Sequence, residues 1–163
     1  MLKRGIAMMI ASALLVLSLG GCAGFQQNDQ EAKAQAANRQ YMSQVSSITD
    51  ELTQRLAAFD TAVADNDVVA MRLKADDAFK IIDQLSTLQP PDVLKDVQAG
   101  YVEGATKLKD ALDSYVALYS EVQGTGDQAM AESAYAERLA AIQTTYDEGI
   151  AKLQETDKKA TEL

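Results

Sequence analysis

The sequence predicts an all-α fold: an antiparallel up-and-down four-helix bundle preceded by a signal peptide and a short tether. Three observations predict it. Apolar residues from Tyr41 onward recur at steps of three and four instead of two, which places them on one face of a helix. Clusters of turn-forming residues, Asp65-Asn66-Asp67, Gln89-Pro90-Pro91-Asp92 and Gly124-Thr125-Gly126-Asp127, divide that pattern into four. No stretch shows the period-two alternation of a half-buried strand. Helices joined by short connections pack as antiparallel neighbours.

Taken in order, residues 1–21 form an export signal. Lys3 and Arg4 precede an apolar run from Ile6 to Leu19 that only Ser12 and Ser18 interrupt. That run is about 14 residues, short of the roughly 20 needed to span a hydrocarbon core, so it is the apolar region of a signal and not a stable transmembrane helix. Gly20 and Gly21 supply the small side chains of a cleavage site. Cys22 is the only cysteine in the chain and has no intramolecular disulfide partner. Leu19-Gly20-Gly21-Cys22 resembles the lipobox of bacterial lipoproteins. The resemblance implies cleavage between Gly21 and Cys22 and a diacylglyceryl thioether on Cys22, which becomes the first residue of the mature chain and a substrate for N-acylation. Two or three acyl chains hold a protein on a membrane durably, where one binds only marginally. The resemblance also implies a place on the extracytoplasmic side of a bacterial membrane. Ala23, and not Asp, follows Cys22, which implies the outer membrane if the cell has two.

Residues 22–28 read as a lipidated tether, with Gly24 and several amides and no apolar period. The domain occupies 29–163, with helices expected at about 29–64, 67–88, 91–123 and 127–158. In the first, Tyr41, Val45, Ile48, Leu52, Leu56, Phe59 and Val63 make the seam, while the stretch before Tyr41 is helix-prone yet polar or Ala. In the second the seam is Val68, Met71, Ala75, Ala78, Ile82 and Leu85, with Phe79 beside it. The third runs through Leu94, Val97, Tyr101, Gly104, Leu108, Ala111 or Leu112, Tyr115, Leu118 and Val122. Asp127 is a candidate N-cap for the fourth, whose seam is Tyr135, Leu139, Ile142, Tyr146, Gly149 or Ile150, and Leu153. The second helix is the short one, so some ends must overhang by roughly 15 Å. If the first helix overhangs at its amino end, residues 29–42 are a stalk, the Pro90-Pro91 turn lies on the stalk side, and the other two connections point away.

Composition restricts the chemistry. Lys3 and Arg4 leave with the signal, so the 142-residue mature chain carries 13 basic against 24 acidic residues, a net charge of −11. Nucleic-acid binding needs a basic patch, and none is visible. With no histidine, no tryptophan and no second cysteine, haem ligation, a Ser-His-Asp triad, a Cys-His pair and the usual zinc sites are excluded. Asp60, Asp65, Asp67, Asp76 and Asp77 crowd one region, but their spacing does not match a calcium-binding EF-hand loop, and turn formation explains them. No catalytic residue, cofactor or metal is therefore expected, and the chain reads as non-enzymatic.

One constellation invites a ligand. Gly104 and Gly149 fall in the seams of the third and fourth helices and come level if those helices form a hairpin, with Tyr101 and Tyr146 in an adjacent layer. They suggest either a tyrosine-walled cleft for a small ligand or a close helix approach in which tyrosine rings fill the space left by absent side chains. The segment from Asp67 to Val122, turn, helix, Pro-Pro and helix, is similar to small helical-bundle lipoproteins of unknown function. The expectation is thus an interaction or structural lipoprotein of the cell envelope, held to the membrane through Cys22 and with an envelope protein as partner. The alternative is a small-ligand module using the Tyr101, Gly104, Tyr146 and Gly149 cleft.

Overall fold

The computed structural model describes residues 29–124 and 132–162. They form four α-helices, α1 (Asp29–Ala64), α2 (Val68–Thr87), α3 (Lys95–Gly124) and α4 (Glu132–Thr161), with one 3₁₀ turn at Asp92–Leu94 before α3. No strand occurs among the described residues. The expected fold class, an all-α antiparallel four-helix bundle, is what the chain adopts. The signal, the tether, Cys22 and the candidate N-cap Asp127 lie outside the described residues.

Each connection has a local cause. α1 stops at a Schellman motif: Asp67 N–H donates to the Ala62 carbonyl and Asn66 N–H to the Val63 carbonyl, both at 3.1 Å. Asn66 occupies the left-handed region there at φ 58°, which asparagine tolerates better than most residues. Asp67 then caps α2, its carboxylate accepting from Ala70 N–H at 2.9 Å. The second helix ends at Thr87 with Leu88 as an extended C-cap at ψ 139°, one residue ahead of Gln89, which Pro90 keeps out of helical geometry. Pro91 is the N-cap of the 3₁₀ turn, so the third helical segment enters through a tighter turn than a plain α-helix from residue 91 would have.

Burial follows the expected seams and shows which helix is central. Of the buried residues, α3 carries twelve and α4 five, so α3 is packed on more than one side while α4 covers it from outside. In α1 the core residues are Tyr41, Val45, Leu52, Leu56, Phe59, Ala62 and Val63, with Ile48 half-buried against them. α2 contributes Met71, Ala75, Ala78, Ile81, Ile82 and Leu85.

The α3–α4 hairpin is antiparallel in steady register. Pairs at Asp96–Lys159, Glu103–Lys152, Lys107–Glu148 and Glu121–Arg138 descend α3 as they climb α4. Exposed pairs of this kind contribute little stability, about 0–1 kcal/mol each. They report register instead.

The two ends of the bundle are distinct. Tyr41 donates from α1 to Gln98 Oε1 on α3, and Gln98 Nε2 donates to the Leu85 carbonyl in the last turn of α2. One buried amide thus ties three helices and satisfies a carbonyl that the end of α2 would otherwise orphan. The proline turn therefore lies at the Tyr41 level, on the same side as the amino end of α1. Residues 29–40, about 18 Å of helix at 1.5 Å per residue, are exposed except for half-buried Asn38. At the opposite end, the Tyr119 hydroxyl donates to Asn66 Oδ1 at 2.8 Å and fastens α3 to the α1–α2 turn.

Candidate functional site

Gly104 and Gly149 do face each other across the α3–α4 contact. A Cβ placed on Gly104 would lie 2.9 Å from Leu153 Cγ and Cδ2 and 3.0 Å from the Gly149 carbonyl oxygen. Its mirror on Gly149 would lie 2.9 Å from Leu108 Cδ2 and 3.0 Å from the Gly104 carbonyl oxygen. The volume left by the absent side chains is thus taken by two leucines and by the opposing backbone. Glycine is required because helix backbones meet there, the geometry of small-residue contacts between helices.

Neither tyrosine of the constellation is among the nearest neighbours of the two glycines. Tyr101 is 1% exposed and donates its hydroxyl to Asp157 Oδ1 on α4. Burial, reinforced by that acceptor, pushes its phenol far above the ordinary range. Asp157 is itself raised, because burial outweighs the opposing effect of the Tyr101 hydrogen bond. Tyr146 is buried, and its phenol rises to about 12, first through burial and then through Asp147 and Asp60. The structure therefore brings Gly104 and Gly149 together, as closely approaching backbone, and turns Tyr101 toward Asp157.

A shallow cavity of about 230 Å³ does lie between α3 and α4, farther toward the proline end, among Asp96, Gly100, Glu103, Lys152, Thr156 and Lys159. Both of its lysines are paired, Lys152 with Glu103 at 3.2 Å and with Glu155, which also lines the groove, at 3.8 Å, and Lys159 with Asp96 at 3.6 Å. Thr156 fills the glycine notch at Gly100 and donates to the Lys152 carbonyl at 2.8 Å. Nothing in this groove is left seeking a partner. No group of three or more Asp, Glu, Cys or His side chains able to hold a metal occurs among the described residues.

Sequence reading passed over the opposite end of the bundle. Phe59 and Tyr115 meet edge to face with centroids 5.8 Å apart, and Tyr115 stacks on Tyr119 at 6.3 Å. Tyr115 is 5% exposed, and its hydroxyl oxygen is buried without a hydrogen-bond partner. Its phenol is raised by burial and, to a lesser extent, by Tyr135, Tyr119 and Asp60. The signal available in the sequence was the concentration of Tyr115, Tyr119, Tyr135 and Tyr146 in the segments flanking the last connection.

Comparison with known proteins supplies no relative: no family model, no curated protein and no solved structure matches the chain. No described helix is long and apolar enough to cross a membrane.

Proposed function

We propose that the chain is a lipoprotein of the bacterial cell envelope, anchored on the extracytoplasmic side of a membrane through acyl chains on Cys22, with the bundle serving as a non-enzymatic interaction module. One observation carries this reading: Lys3 and Arg4, then the short apolar run from Ile6 to Leu19, then Leu19-Gly20-Gly21-Cys22, in that order and with no other cysteine in the chain. The exposed start of α1 supports it, because a helical segment that contributes no residue to the core, following a short tether, suits a stalk that lifts a domain off lipid. The acidic surface also suits a tethered domain, since it is repelled by an anionic membrane. On this reading the proline turn and the end of α4 face the membrane, and the Asn66 turn faces away from it. The partner is then an envelope protein reached from the far end or the flanks of the bundle. The alternative cleft between α3 and α4 has no observation in its favour, because leucines and backbone fill the space beside Gly104 and Gly149.

Metabolic labelling with an alkyne analogue of palmitate, combined with intact-mass analysis, tests the anchor. The expected product begins at Cys22, carries the label and stays with membranes, while Cys22→Ala is unlabelled. A wild-type chain that retains residues 1–21 or takes up no label would remove the premise. In-cell crosslinking of the anchored form then identifies what the bundle touches.

A further inference from the structure

We draw no further inference here: the strongest candidate, the surface patch formed by Val69 and Leu73, 71% and 58% exposed and one turn apart on the outer face of α2, carries nothing because nothing in the structure shows what covers it.

Discussion

The α3–α4 hairpin has two halves that read alike as sequence and pack differently. Toward the proline turn, Tyr146, Gly149, Ile150, Leu153 and Thr156 are buried on α4, and the backbones meet at Gly104 and Gly149. Toward the far end, Tyr135, Leu139 and Ile142 continue the same seam yet are only half-buried. Apolar period says which face of a helix turns inward, and it says nothing of how near the neighbour comes. Glycine sets that distance in one half, and the other has, among the described residues, no glycine at which the backbones meet in this way. The first half acts as a clamp, whereas the second is held by half-buried side chains.

The largest way to break the clamp is Gly104→Leu. A branched side chain there must displace Leu153 and the Gly149 carbonyl at once, and backbone cannot yield as a flexible side chain can. Overpacking of this kind costs about 1–3 kcal/mol and occasionally more, against roughly 1 kcal/mol regained by replacing glycine inside a helix. Because opposing backbone stands in the way, the cost is expected at or above the top of that range, a net loss of at least about 2 kcal/mol after the glycine gain is subtracted, read as a lower midpoint in urea unfolding. A midpoint equal to the parent's would show that α3 and α4 are not in backbone contact.

A matched pair of truncations sharpens the contrast. Leu153 is 1% exposed against Gly104, so Leu153→Ala is expected to cost about 2–5 kcal/mol through lost burial and the cavity left behind. Leu139 occupies the equivalent seam position in the loose half, and Leu139→Ala is expected to cost no more than about 1 kcal/mol. Hydrogen exchange should follow the same division, with amides before Tyr146 opening sooner than those after it. Equal costs for the two truncations would erase the distinction between the halves.

These differences also show which features could be read in advance. Helix number, order and inward faces were legible because residues such as Leu52, Met71 and Leu108 repeat at helical spacing, and because Asp67 and Pro90-Pro91 punctuate the chain by local chemistry. Gln98 was not legible. A glutamine beside a seam looks solvent-facing until Tyr41 and the Leu85 carbonyl, distant in sequence, arrive to pair with it. The Gly104–Gly149 level was legible from hairpin symmetry, but the choice between cleft and close approach depended on where Leu108 and Leu153 pointed. The Tyr115 hydroxyl could not be singled out, since an absent partner has no sequence signature.

The smallest expected effect belongs to the clamp's own edge, where the Tyr101 hydroxyl donates to Asp157 Oδ1. Burial raises the Asp157 carboxyl above its ordinary value even though this hydrogen bond favours the charged form. A carboxyl raised on folding binds its proton more tightly in the native state than in the unfolded chain. It therefore costs stability as pH climbs from the ordinary carboxylate value near 4 through the raised native one, and the cost persists at neutral pH. Asp157→Asn keeps an oxygen for Tyr101 to donate to and removes the buried charge. The variant is expected to melt slightly higher than the parent at pH 7 and to draw level with it as the pH falls below about 4. Thermal melts of both proteins from pH 3 to 7 check this. A variant that is less stable at pH 7 would mean that the charge-assisted hydrogen bond from Tyr101 outweighs the cost of burying the carboxylate, reversing the order of the two effects at this end of the clamp.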